Sequence, residues 1–246
     1  MNIKITVSES AEENGRRAAK KIAELIRAAI ESKGRARIVV STGSSQFEMF
    51  SALIKEEIDW TRVIMFHLDE YVGLPESHIA SFRKYLKERF VSLVPIKEAH
   101  FVNGEGDIDK NIKELTIELR KEPIDVGIIG IGENGHIAFN DPPADFTTDE
   151  AYKVVVLDTK CRMQQVGEGW FETIDDVPEK AISMMPKEIM KAEHIVTVAP
   201  HSVKAKAIYD TITHSVSPDV PATLLKTHPD WNLFIDDDSA AMLFGK

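Results

Sequence analysis

Apolar residues in this chain follow two alternating rhythms. Short runs of consecutive aliphatic and β-branched residues are separated by stretches in which apolar positions recur every three or four residues. The runs read as buried strands at 3–7, 37–40, 63–68, 124–130, 153–157, 181–184, 194–199 and 233–235. Between them, Ala18, Ile22, Leu25 and Ala29 trace one helix face that Gly34 ends. Phe47, Met49, Phe50, Leu53 and Ile54 predict a second helix. Ile79, Phe82, Leu86 and Phe90 predict a third, with Ser77 as its N-cap, and Ile108, Ile112, Leu115 and Leu119 a fourth. Weak periodicity over 158–177 reads as loop with a short helix, and 187–191 as a helical turn. Ser202 is the expected cap of a last helix through Lys204, Ala207, Ile208 and Ile212. Strands alternating with helices predict an α/β fold, doubly wound, with a mainly parallel sheet and helices on both faces.

Composition narrows this picture. With 246 residues, 43% hydrophobic and 28% charged, the chain suits one domain spanning 1–246. A net charge of −10 argues against nucleic acid and anionic membrane as partners. It leaves room for a small anion, because one helix start or a few local cations can hold a phosphate. No apolar run approaches the length of a membrane span. The N-terminus lacks the apolar core of a signal peptide. A single cysteine, Cys161, permits no internal disulfide, so the expected location is cytoplasmic and the thiol reads as incidental. A homo-oligomer is compatible with the sequence.

Candidate chemistry clusters after strands, where α/β proteins bind ligands. In Gly132-Glu133-Asn134-Gly135-His136-Ile137-Ala138-Phe139-Asn140-Asp141-Pro142, a tight turn delivers a histidine and a carboxylate five residues apart. That pair is a candidate proton shuttle; a plain surface loop is the alternative. Asp69-Glu70 follows another strand. Neighbouring side chains there point to opposite faces, so one acid should face a cleft while the other supports the loop. A partly dehydrated carboxylate can take a proton from carbon next to a carbonyl; two solvated acids are the bland reading. A metal set of His67, Asp69 and His78 has unfamiliar spacing. Thr42-Gly43-Ser44-Ser45 and His201-Ser202-Val203-Lys204 both suit an anion, although either could be a simple helix cap.

Taken together, Phe66-His67-Leu68-Asp69-Glu70-Tyr71-Val72-Gly73-Leu74 and Gly135-His136-Ile137-Ala138-Phe139-Asn140-Asp141-Pro142 resemble the glucosamine-6-phosphate deaminase/isomerase family. The similarity covers nearly the whole chain. It implies an enzyme with neither metal nor cofactor, which converts glucosamine 6-phosphate and water into fructose 6-phosphate and ammonia. By the resemblance, Asp69 moves the proton between C2 and C1, His136 opens the sugar ring, Asp141 holds His136, and Asn134 completes the ring-opening set. Thr42, Gly43, Ser44, Glu70 and Lys204 fall on the substrate-binding side.

The departures concern specificity. Asn134 replaces an Asp of some members, and Asp141 a Glu of many. A phosphate-gripping arginine falls near Gly169, with Arg162 as a candidate substitute. The small-residue turn lacks the family's frequent second Gly and Thr-Pro. An allosteric arginine of the hexameric bacterial branch falls at Ala151, so no activation by N-acetylglucosamine 6-phosphate is expected through that site. The rival reading is a 6-phosphogluconolactonase-type hydrolase, whose loop typically continues Ser-Leu-Phe-Pro. A non-catalytic sugar-phosphate sensor ranks lower, since no helix-turn-helix fits before residue 37.

Overall fold

The computed structural model describes residues 3–245; Met1, Asn2 and Lys246, the ends of the expected 1–246 domain, lie outside them. Among the described residues, ten strands form two sheets. They are β1 (Ile3–Ser8), β2 (Ala36–Val40), β3 (Val63–His67), β4 (Asp69–Tyr71), β5 (Glu98–His100), β6 (Val126–Ile129), β7 (Tyr152–Val156), β8 (Lys180–Met184), β9 (His194–Val198) and β10 (Trp231–Asp236). Seven of them make a parallel sheet in the order β1-β10-β9-β6-β2-β3-β5. Buried on both faces, its central strands carry the continuous apolar runs seen in the sequence.

The helices are α1 (Ala11–Lys33), α2 (Phe47–Leu53), α3 (Phe82–Arg89), α4 (Ile108–Leu119), α5 (Thr159–Gly167), α6 (Pro186–Ile189), α7 (Ala205–Thr213) and α8 (Asp237–Phe244). Two apolar layers flank the sheet. One gathers α1, α2 and α3 around Ile22, Ile38, Phe50 and Phe90. The other gathers α4 and α7 around Leu115, Ile129, Ile208 and Leu233. Each fully buried aliphatic side chain in these layers contributes roughly 1.5–3 kcal/mol. Among the described residues, no helix is long and apolar enough to cross a membrane.

From β2 the chain steps outward to β3 and β5, then returns to β6 on β2's other flank. Loops leaving β2 and β6 therefore diverge, and a crevice opens at their carboxyl ends. Above it lies the feature that periodicity missed. Strands β7 and β8 do not extend the parallel sheet; with β4 they form a separate antiparallel sheet in the order β4-β8-β7. Short apolar runs look alike in either sheet, so only tertiary pairing separates them.

Two expected caps are corrected. Helix α3 starts at Phe82, capped by Ser81, because the buried Glu70 carboxylate accepts the N–H groups of Phe82 and Arg83 and fixes the start there. Ser77 instead sits in the preceding turn. Ser202 makes no side-chain cap: a 3₁₀ turn over Ser202–Lys204 leads into α7 at Ala205.

Candidate functional site

One cleft of about 560 Å³, counting space open to solvent at its mouth, lies over the carboxyl ends of β2, β3 and β6. Asp69 and His136 both line it, as do Thr42, Gly43, Ser44 and Lys204. The cleft opens outward into a wider one edged by Asn134, Asp158, Lys160 and His201.

Asp69 is the first residue of β4, and the pleat aims it into the cleft. Phe82 and Phe139, stacked at 5.5 Å, form the wall beside it. Burial, reinforced by the neighbouring Glu70 charge, pushes the Asp69 carboxyl up to about 8; an N–H bond from Phe139 works the other way. An acid of this kind takes up and releases a proton near neutral pH.

Glu70 does not reach the cleft, which corrects its expected place among the substrate-binding residues. The same pleat turns it inward, fully buried. Its oxygens accept from Tyr71 N, Ser81 Oγ, Phe82 N, Arg83 N and Arg83 Nε. One acid faces the cleft and the other ties the loop to α3.

His136 leaves the turn after β6. Its ring lies so close to Gly132 that a Cβ there would come within 2.2 Å of Cε1, so only glycine gives the imidazole its seat. His136 Nδ1 is 3.2 Å from Asp141 Oδ1, too oblique for a full hydrogen bond. Asn134 ties Asp141 to the backbone of His136: its amide donates to Asp141 Oδ1 at 3.1 Å, and its oxygen accepts the His136 backbone N–H at 3.1 Å. Burial alone would raise the Asp141 carboxyl. The His136 ring, the Asn134 amide and the Asp158 N–H outweigh it and hold the group below its ordinary value. Asp141 thus stands behind the imidazole as an anion, outside the cleft lining.

The backbone between them is strained. Ala138, on the cleft wall, has φ 48°, which costs a non-glycine residue about 1 kcal/mol. Asn140 holds it down, donating to Ile137 O, Ser183 Oγ and Met184 O, and so binds the loop to β8.

At the opposite end, Ser44 begins a 3₁₀ turn whose opening N–H groups lack partners within the helix. Lys204 is buried beside it. Burial pushes its ammonium below the ordinary value, and the charges of Glu168 and Glu133 oppose that. Arg162 is not the substitute cation: its guanidinium donates to the Ile174 and Val177 carbonyls, away from the cleft.

Three cleft residues escaped the sequence reading: Gln164, Gln165 and Glu168, all from α5 and its C-terminal end. The only signal was a glutamine pair and a Gly-Glu-Gly run inside a segment of weak periodicity. Cys161, taken as incidental, also has a definite place. Its sulfur, an Asp141 oxygen and a His136 nitrogen lie within 4.8 Å of one another. Burial and then the Asp141 charge push the thiol upward, so it stays protonated beside that carboxylate.

This trio and the surface set Glu98, His100 and Glu118 are the groupings that could hold a metal among the described residues. Metal binding at the trio needs a thiolate, which burial opposes. His67, Asp69 and His78 do not converge as a set. His67 is buried and pushed down to about 3 by burial and Arg83, while His78 stacks on Phe171.

Comparison with known proteins places the chain. A family model described as glucosamine-6-phosphate isomerases/6-phosphogluconolactonase matches residues 9–233. A glucosamine-6-phosphate deaminase of Halothermothrix orenii is 38% identical, with 94% of this chain and 98% of that protein covered. One from Listeria welshimeri is 35% identical, covering 94% and 97%. Among solved structures, a monomeric glucosamine-6-phosphate deaminase superposes with a TM-score of 0.88 at 27% identity, covering 97% and 99%. The 6-phosphogluconolactonase of Thermotoga maritima shares the fold, with a TM-score of 0.80 at 16% identity, covering 96% and 100%.

Proposed function

This chain belongs to the glucosamine-6-phosphate isomerase/6-phosphogluconolactonase family, and from that premise we propose that it is an enzyme deaminating glucosamine 6-phosphate, or a close amino-sugar phosphate, to the matching ketose phosphate and ammonia. The observation that carries the reading is a buried, high-pKa Asp69 sharing one cleft with an imidazole backed by Asp141.

His136 exchanges protons at the ring oxygen and O1 and so opens the pyranose. Imidazole suits the step because it both accepts and donates near neutral pH. Asp141 stands behind the ring and holds it toward the cleft. Asp69 then takes the C2 proton and returns it to C1 through an enolamine. The aromatic wall of Phe82 and Phe139 keeps water from that carbanion-like centre. Hydrolysis at C2 releases the substrate's own amine, so no protein nucleophile is required. Thr42, Gly43, Ser44 and Lys204 serve the phosphate end.

The test is a coupled ammonia assay across phosphorylated amino sugars, run with a chelator present, with 6-phosphogluconolactone as the counter-substrate. Ammonia release from glucosamine 6-phosphate is the expected result. Lactone hydrolysis without ammonia release would replace this reading with the lactonase one, the other activity named in the family description.

A further inference from the structure

The phosphate end of the cleft already contains an anion. The Glu168 carboxylate accepts Ser44 Oγ at 3.3 Å, Gln164 Nε2 at 2.7 Å and the Trp170 indole N–H at 3.0 Å. It also lies close enough to act on Lys204, the buried cation of the same end. A hydroxyl, an amide, an indole N–H and an ammonium are the donors a phosphoryl group would use. A side-chain carboxylate and a phosphate dianion cannot share them, because like charges at contact distance repel strongly where water is scarce.

Glu168 is also placed to leave. It caps the C-terminus of α5 between Gly167 and Gly169, and Gly169 has φ 79°. A Cβ on either glycine would meet nothing within 4 Å, so the space beside both is open.

We propose that Glu168 is an internal stand-in for the substrate's phosphate: its carboxylate occupies the anion subsite of the empty protein, and a phosphorylated sugar binds by displacing it. The inference rests on the phosphate end assigned above. Its consequence is a higher threshold for every anion at this end of the cleft. A bare phosphate ion must displace Glu168 with nothing else to gain, whereas a sugar phosphate also gains contacts around Asp69 and His136. The glutamate therefore keeps the site free of inorganic phosphate at concentrations that would otherwise fill it.

The probe is inorganic phosphate, titrated by calorimetry and by tryptophan emission into the full-length protein and its Glu168→Gln, Glu168→Ala and Trp170→Phe variants, each checked for folding by circular dichroism. Both Glu168 variants should bind phosphate on the order of tenfold more tightly, the size expected for removing one nearby like charge. KM for the sugar phosphate should fall in step. Phosphate should shift emission in the unmodified protein, where the indole loses its carboxylate partner, and should not do so in Trp170→Phe. Equal or weaker phosphate binding in both folded Glu168 variants overturns the proposal, as does an unshifted emission at saturating phosphate. Phosphate binding needs no turnover. Tighter binding without ammonia release would sink the reaction and leave the stand-in; normal ammonia release with unaltered phosphate affinity would sink the stand-in alone.

Discussion

Asp69→Asn should stabilise the protein while removing its chemistry, and the gain should depend on pH. Unfolded, the Asp69 carboxyl ionises near its ordinary 3.8; folded, it keeps its proton up to about 8. Between those values the native state binds one proton more than the unfolded state, so stability falls as pH rises. Each tenfold drop in proton activity costs about 1.4 kcal/mol, giving a penalty of about 4 kcal/mol near pH 7 and about 6 kcal/mol above pH 8. Asparagine carries no such penalty and nearly keeps the size of the side chain. The variant should match the parent near pH 4 and pull ahead steadily above it. For a chain of this length, 4 kcal/mol corresponds to roughly 8–16 °C in Tm. Urea unfolding at about pH 5, 6.5 and 8 measures the gap, and solvent exchange at substrate C2 measures the chemistry. A gap independent of pH, or an Asp69→Asn protein less stable than the parent near pH 8, would show that Asp69 is not held protonated by burial. Retained C2 exchange would remove it from the role of base.

Three further outcomes follow from the loop after β6. His136→Gln should slow turnover of the cyclic sugar by about 10²–10⁴-fold, the range of one general acid–base group, while C2 exchange on open-chain substrate falls far less; equal losses on both forms would refute the ring-opening role. Gly132→Ala drives a methyl into the imidazole, whose nearest atoms would lie 2.2–2.5 Å away. It should cut kcat by at least about 10²-fold through misplacement, with KM for the phosphorylated sugar little changed, and steady-state kinetics will separate the two. Asn140→Ala removes a buried amide whose two N–H donors are shared among three acceptors and should cost about 2–3 kcal/mol in urea unfolding, with activity lost as the strained Ala138 backbone relaxes.

The parallel sheet could be read in advance because its central strands are buried on both faces and write themselves as unbroken apolar runs. The antiparallel sheet could not. Asp69–Tyr71 is three residues long, and the exposed Val156 on β7 breaks no rule that would mark an edge. Asp69, His136, Thr42, Gly43, Ser44 and Lys204 were visible because each follows a strand directly, where position in sequence fixes position in space. Glu168 was hidden for the opposite reason. It reaches the cleft from a helix that follows β7, and only the resemblance, which sets a phosphate-gripping position near Gly169, hinted that this segment folds back over Ser44. Cys161 was dismissed because its partner, Asp141, stands twenty residues earlier in the chain.

The pair Asp69-Glu70 explains why the base can exist at all. An acid raised to about 8 needs a dry wall and a nearby negative charge. That second charge would itself be intolerable if it were buried without partners. The pleat separates the two demands. Glu70 meets hydrogen-bond donors from Tyr71, Ser81, Phe82 and the Arg83 backbone and guanidinium, which together make burial of its charge affordable. Having been settled there, it acts on Asp69 from the adjacent residue while leaving the cleft clear. Two of those bonds, from the Phe82 and Arg83 backbone, set the start of α3 and so place Phe82, half of the wall that dehydrates Asp69. One buried carboxylate therefore supplies both causes of its neighbour's basicity: the repelling charge directly, and the dry surface through the helix it anchors. In the proposed reaction, a residue outside the cleft is in this way as necessary to proton transfer at C2 as the one that lines it.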